Sequence, residues 1–362
     1  MKKLIALALA LIMMLGLVAC GGDGNTDGTG STEAAKTEKT IAFIAKGEVH
    51  AFWQAVKAGA EKAAKEKGYK LTFQGPEGED PQYVPDQVRM VQTALSNNVD
   101  GIVLATIGSG FGDLLTQAYD KKIPVVTFDS GLKAPSDITE GKNPIVAHVA
   151  TDNKAAANIN GEKLFAAIKD EIAKATADAP YVVGVIQHDE TSTGIDRAGG
   201  FIEKFTALAD ADETTKGKYK IEKEIKQGDA DQSYVKALEA LYEKGIKALF
   251  MTNEGVVKQV YDATKSAEGK YDGIIFSGFD AGTKQLNWIK EDGTPKLLGS
   301  VAQDSIEMGY QATLQCIAAV EGGEAKDVAI AGAWYNAENL IAMLDSNLIY
   351  TDAAEDAEAL RK

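Results

Sequence analysis

The sequence predicts an α/β protein built from two doubly wound lobes with parallel sheets. Two observations carry this. From Thr40 onward, short apolar or β-branched runs alternate with longer stretches of helical periodicity, and the alternation restarts after Asp152. Continuous apolar strands separated by helices mark parallel sheets covered on both faces, and two such series make two doubly wound units. The roughly 320 residues beyond position 39 also exceed what one hydrophobic core usually supports, which favours two domains of about 150 residues each.

The first series opens with Ile41–Ala45, followed by a helix with apolar positions at Phe52, Val56, Ala60 and Ala63–Ala64. Leu71–Phe73 and a helix around Val88, Val91 and Leu95 come next. They are followed by Gly101–Ala105, a helix over Gly112–Asp120, and strands at Pro124–Phe128 and Ile145–Val149. The second series predicts strands at Tyr181–Ile186, Tyr219–Ile225, Ala248–Met251, Gly273–Phe276 and Leu297–Val301. Its helices are predicted at Asn153–Lys174, Ile195–Leu208, Ser233–Lys244, Val256–Ala267, Thr283–Lys290 and Ser305–Val320.

Ligands of doubly wound sheets bind at the carboxyl ends of the strands. Polar and aromatic residues gather there: Glu48, His50, Phe52 and Trp53 after the first strand, and Asp129-Ser130 after the fourth. Gln187 to Ser192, Asn253-Glu254, Asp280 and Gln303 follow strands of the second series. Carboxylates and amides pair with vicinal hydroxyls, and flat rings cover the C–H faces of a sugar, so the set suits a polyhydroxylated ligand. Each residue alone has a plainer role. Phe52 and Trp53 fit a core, Asp280 and Asn253 could cap helices, and Asp129 could make a turn. Asp129 and Asp280 also leave open a glycosidase carboxylate pair, whose separation sequence does not give.

Other chemistries fit poorly. Gly108, Gly110 and Gly112 space as G-x-G-x-G, not as the G-x-G-x-x-G of a dinucleotide site. Asp23, Asn25, Asp27 and Gly28 begin like a calcium loop, but Ala34 stands where the closing glutamate belongs. The three histidines are widely spaced, and no metal site, cofactor or catalytic residue is predicted.

The amino terminus has its own logic. Lys2 and Lys3 precede an apolar run of 15 residues, Leu4 to Val18, shorter than the ~20 that a spanning helix needs. The run leads through Ala19 into Cys20-Gly21-Gly22, which resembles the lipobox of bacterial lipoproteins. That resemblance implies a signal peptide over 1–19 and a lipidated Cys20 that anchors the protein to a membrane, outside the cytoplasm. Residues 20–39 are Gly-, Thr- and Asp-rich with no large apolar side chain, the composition of a flexible tether. Without residues 1–19 the chain carries 36 basic and 53 acidic residues, a net of −17, which argues against nucleic acid as a partner. Beyond Cys20 the only cysteine is Cys316, inside an apolar helical pattern, so it reads as a core residue and no disulfide is expected.

From about Thr40 to Leu344 the chain resembles the periplasmic sugar-binding proteins of the ribose-binding type, the type I receptors of ABC importers. The resemblance is carried by Ile41–Trp53, Asp100–Val103, Ile123–Asp129, Val149–Asn153, Asp196–Phe201, Ala248–Glu254, Ser277–Asp280 and Val301–Gln303, in that order. It implies a clamp of two lobes joined by three crossings, near Ala150–Thr151, near Gln303 and near Trp334–Tyr335. The lobes then comprise 40–150 plus 304–333, and 151–303 plus 334–350, with a tail over 351–362. It further implies a monomeric receptor, not an enzyme, that binds a small sugar or polyol and hands it to a permease. A tethered sensor for a membrane receptor is the alternative. Carried over position by position, the ligand contacts are His50, Phe52, Trp53 and Asp129 from the first lobe. Gln232, Asn253, Asp280 and Gln303 supply the rest.

The chain departs from this family where arginines commonly stand, at Ser130 and Ile195. Asp129 and Asp280 are thereby expected to face the ligand without an assigned cationic partner, and Arg197, two residues beyond Ile195, to point elsewhere. A neutral or amine-bearing ligand follows, less polar than ribose on the Ile195 side, and not a sugar acid or sugar phosphate.

Overall fold

Two six-stranded sheets with the same winding order form the frame of a computed structural model that describes residues 38–225, 233–291 and 293–362. The expected signal peptide, Cys20, the calcium-like segment, nearly all of the tether and the predicted contact Gln232 lie outside the described residues.

The first lobe runs β1 (Thr40–Ile44), α1 (Ala51–Lys67), β2 (Lys70–Gln74), α2 (Val84–Ser96), β3 (Gly101–Leu104), α3 (Gly112–Asp120), β4 (Val125–Phe128) and β5 (Ile145–Thr151). The second runs α4 (Asn153–Lys174), β6 (Tyr181–Gln187), α5 (Ser192–Ala211), β7 (Tyr219–Ile225), α6 (Ser233–Glu243), β8 (Ile246–Met251), α7 (Glu254–Ser266), β9 (Ile275–Phe279), α8 (Thr283–Glu291) and β10 (Lys296–Gln303). The chain then continues through α9 (Ser305–Val320), β11 (Val328–Ile330), β12 (Gly332–Tyr335), α10 (Leu340–Asp345) and α11 (Ala354–Arg361). The sheet orders are β11-β5-β4-β3-β1-β2 and β12-β10-β9-β8-β6-β7. All pairs of the first sheet are parallel, whereas β12 adds an antiparallel edge to the second.

β1 shows why an unbroken apolar run makes a central strand. Ile41 and Phe43 enter the core under α1 and α9, and Ala42 and Ile44 enter the core under α2. Side chains alternate faces along a strand, so only a strand covered on both sides needs every position apolar. Each fully buried Ile or Phe contributes roughly 1.5–3 kcal/mol. On the covering side, α1 and α9 cross closely enough that a Cβ on Gly59 would lie 1.9 Å from the Ile306 carbonyl oxygen, and one on Gly309 would lie 1.9 Å from that of Val56. This contact brings α9 back to the first lobe. Cys316, on the same helix, is buried in that core.

The chain passes between sheets three times. The first two passages are alike: Asp152 and Asp304 follow β5 and β10, and each caps the next helix by accepting a backbone N–H, from Ala155 and from Glu307, at 2.9 Å. The third lies between Ile330 of β11 and Gly332 of β12, ahead of the expected Trp334–Tyr335, because the short apolar segment at 328–335 splits into two edge strands on different sheets. β9 also lies later than the apolar run predicted. Ser277 and Gly278 belong inside it, since the buried Ser277 hydroxyl donates to Asn160 Oδ1 at 2.7 Å and its polarity costs little there. Residues 351–362, set apart by sequence as a tail, include α11, which buries Leu360 in the second lobe's core.

Candidate functional site

The carboxyl ends of both sheets face one cleft of about 590 Å³. Its walls include His50, Phe52, Trp53, Asp129, Asn253, Asp280 and Gln303, so every predicted contact within the described residues reaches it. Their roles differ in ways the sequence does not reveal.

Asp129 follows β4 and Asp280 follows β9, and both adopt the left-handed backbone region, with φ of 53° and 67°. Strain of this kind costs about 1–3 kcal/mol and persists where surrounding structure enforces it. Here the enforcing contacts match: Asp129 N–H donates to the Val149 carbonyl at 3.0 Å and Asp280 N–H to that of Val301 at 2.8 Å. Three further donors, Tyr335 Oη, Ser300 Oγ and Gln285 Nε2, converge on the Asp280 carbonyl at 2.7–3.1 Å.

Neither carboxylate lacks a cation, contrary to the sequence expectation. Lys46 Nζ lies 2.6 Å from Asp129 Oδ2, 4.0 Å from a Glu79 oxygen and 5.5 Å from the centre of the Trp53 ring. Burial opposes charge on both partners, but the pair outweighs it, holding Asp129 below and Lys46 above their usual ranges. Arg197 does not point elsewhere. It is buried, with its guanidinium 3.8 Å from the centre of the Phe279 ring and Nη1 3.4 Å from Asp280 Oδ2. Its Nε donates to Asn153 Oδ1 at 2.8 Å and Nη1 to the Thr252 carbonyl at 3.0 Å. Gln303 Nε2 donates to Asp280 Oδ1 at 2.6 Å, and Glu254 N–H to Oδ2 at 3.1 Å. Ile195, at the position of the missing arginine, is exposed.

The rings are more core than surface. Trp53 is 2% exposed and packs edge-on against Phe52 and Phe128, while its Nε1 donates to Glu79 Oε1 at 2.7 Å. Asn253 is both cap and wall: its Oδ1 accepts from Val256 N–H at 2.9 Å at the start of α7. His50 caps α1, Nδ1 accepting from Phe52 N–H at 3.2 Å, and its Nε2 reaches Glu254 Oε2 at 3.1 Å in the other lobe. Two more contacts cross between lobes, Lys133 to Asp189 at 3.8 Å and Thr151 Oγ1 to Gln303 Oε1 at 2.7 Å. His50, Glu254 and Asp352 offer ligand atoms within 4.8 Å of one another, but Lys258 Nζ stands 2.5 Å from Glu254 and 3.6 Å from Asp352, so a cation already pairs with both carboxylates.

Sequence reasoning missed Lys46, Arg197, Glu79, Lys133 and Tyr350 in these walls. Lys46 stood one residue past the first apolar run, where a strand-end rule could have found it. Tyr350 comes from a segment with no strand before it, so that rule has no purchase on it.

An ion-paired, carboxylate-rich cleft at the strand ends of two like-wound lobes defines a solute-binding clamp. Residues 41–325 match the family of the periplasmic binding protein domain, and the chain belongs to that family. It is 27% identical over 319 residues to the ribose import binding protein of Haemophilus influenzae, covering 83% of this chain and 91% of that protein. It is 31% identical over 153 residues to the fructose import binding protein of Bifidobacterium longum, a match that spans 42% of this chain and 44% of that protein. Among solved structures, one described as an ABC transporter, LacI family transcriptional regulator from Brachyspira murdochii superposes with a TM-score of 0.78 at 32% identity, covering 86% of this chain and 99% of that one.

Proposed function

We propose that this protein is an extracytoplasmic receptor that binds a small neutral sugar or polyol between its lobes and delivers it, as a monomer, to an ABC permease. The observation that carries this reading is the matched pair Asp129 and Asp280, held by equivalent strained turns at the mouths of both sheets and facing one cleft. A vicinal diol presented between them donates one O–H to the carboxylate of each lobe, so its contacts form only when the lobes are together. A ligand shifts an open–closed equilibrium only by such differential affinity.

Asp129, kept ionised by Lys46, is barred from the general-acid role but not from that of base or nucleophile; the import binding proteins among the relatives are what support a receptor over a glycosidase. The ribose and fructose import binding proteins among its relatives support delivery to a permease. Cys20, if acylated, supplies the anchor; among the described residues no helix is long and apolar enough to cross a membrane.

Titration calorimetry against neutral pentoses, hexoses, pentitols and hexitols tests the reading. One or a few should bind with a Kd near micromolar, about −8 kcal/mol. No binding across the panel would overturn it, as would turnover of a nitrophenyl glycoside by pure protein.

A further inference from the structure

The C-terminal segment puts an aromatic side chain into the cleft that neither sheet supplies. Tyr350 lies between α10 and α11, lines the cleft, and packs against both the first lobe's core and the second lobe's core. Its ring meets His50 edge-on at 6.2 Å and Phe52 at 6.5 Å. The residues around it are tied down. Ile349 is buried in the second lobe, Asp352 N–H donates to Thr283 Oγ1 at 2.8 Å, Thr283 Oγ1 donates to Asp356 Oδ2 at 2.8 Å, and Lys290 Nζ donates to the Leu360 carbonyl at 2.8 Å. The docking of α11 on α8 therefore fixes Tyr350 from the C-terminal side.

No described residue is a hydrogen-bond partner of the Tyr350 hydroxyl, although the cleft that Tyr350 lines carries many polar groups. Tyr350 is half-buried, so its hydroxyl is open to a partner that enters the cleft. Burial first, and then the carboxylates of Asp280 and Glu254, push its pKa well above the ordinary tyrosine value. The group thus keeps its proton and can donate as well as accept, which is what a sugar hydroxyl needs from a wall.

We propose that Tyr350 is a ligand-contact residue: its hydroxyl hydrogen-bonds a hydroxyl of the bound sugar, making the C-terminal segment a third supplier of the site beside the two sheets. The inference rests on the sugar-receptor reading above. It also gives the segment after α10 a functional reason to be pinned against α8.

The test uses the panel sugar that the wild-type protein binds most tightly, together with its monodeoxy analogues. Tyr350→Phe keeps the ring and removes only the hydroxyl, so a loss of about 3- to 10-fold in affinity is expected. Discrimination against one monodeoxy analogue should also disappear in Tyr350→Phe, because that analogue lacks the hydroxyl that tyrosine holds; a merely structural role would weaken all analogues alike. Tyr350→Ala should bind more weakly than Tyr350→Phe. Should Tyr350→Ala fail to fold, the Phe variant still decides. Wild-type affinity and unchanged discrimination in Tyr350→Phe overturn this inference alone, whereas silence of the wild type across the whole panel overturns it together with the receptor reading.

Discussion

Asp129 and Asp280 are counterparts, each standing one residue past a central strand in the left-handed region and each tied by its amide to the neighbouring crossing strand. Each also has one buried or nearly buried cation, Lys46 or Arg197. The two halves of the site are thus built on one plan with different cations.

Asparagine tolerates positive φ and keeps the side chain's shape, so Asp280→Asn and Asp129→Asn remove charge without adding backbone strain. A hydrogen bond to a charged group is worth roughly 1.5–3 kcal/mol, hence about 10- to 150-fold in affinity for either variant. Asp280→Asn should also melt lower, because Arg197 is left buried without its anion. Calorimetry and circular dichroism check both; folded variants with wild-type affinity would detach these residues from the ligand.

Lys46→Met leaves Asp129 buried without its nearest cation. Breaking a buried pair this way costs about 3–5 kcal/mol at neutral pH. In the wild type the lowered Asp129 pKa gives stability that is present above the unfolded value near 3.9 and lost as pH falls through the folded pKa. In the variant burial is opposed only by the Ser130 backbone hydrogen bond and the more distant Arg197, so the carboxyl takes up its proton at a higher pH than in the wild type, and the difference between the two should shrink as pH approaches 4. Chemical denaturation at several pH values measures this; a gap constant with pH would mean that the pair is not what the lysine stabilises.

The alternation of strands and helices was readable from residue 40 to residue 320 because apolar runs and helical periodicity are local signals. Asn153–Lys174 and Ser305–Val320 carry the expected boundaries to the residue. The third crossing was misplaced because β11 and β12 are only three and four residues long and separated by Ala331 alone, too short to show which sheet each joins. The pairing of the carboxylates was misread for a different reason. The helical angle from Ile195 turns Arg197 away, whereas its long side chain reaches Asp280 across the buried side of α5, over the Phe279 ring. Reach of that kind is tertiary, and helix periodicity does not contain it.

The three histidines set opposing pH dependences. Burial, and then Arg197, hold His188 neutral, with its pKa pushed down to about 4. Burial also lowers His148. Between the unfolded value near 6.5 and the folded pKa, the unfolded chain binds more protons at both positions, so stability falls as pH falls. His50 runs the other way. Burial disfavours its charge, but the hydrogen bond and charge of Glu254 outweigh this and raise its pKa. Its contribution is full below the unfolded value and is lost as pH rises through the folded pKa. With two against one, melting temperature should drop from pH 7 to pH 5, His188 alone accounting for about 2 kcal/mol. His188→Asn, which can still hydrogen-bond Thr252, should flatten the profile; an unchanged slope would assign the effect to other groups.

Anchoring is tested apart from the fold. Cys20→Ser removes the thiol that acylation requires and should move the protein from washed membranes to the soluble fraction. Retention of that variant at the wild-type level would remove the lipoprotein reading.

The ligand's charge follows from the cleft as a whole. Seven of its lining residues are carboxylic acids, while three are lysine or arginine, and Lys46, Lys133 and Arg197 each lie within ion-pair distance of one of those acids. A sugar acid or sugar phosphate entering this cleft would find no uncommitted lysine or arginine among its described walls and would add charge to an excess of the same sign, in a site where desolvation makes unpaired charge costly. The original ground for a neutral ligand, carboxylates without cations, is gone, but the excess of carboxylates leads to the same expectation. Neutral sugars and polyols, and amine-bearing ones, should therefore bind, and their aldonic acids and phosphates should bind at least about 100-fold more weakly, a difference of roughly 2.7 kcal/mol. Titration of a sugar, its aldonic acid and its phosphate in parallel decides the matter: submicromolar binding of an anionic sugar with the neutral one silent would reverse the assignment, and would point to Lys46 and Arg197 exchanging their carboxylates for the ligand.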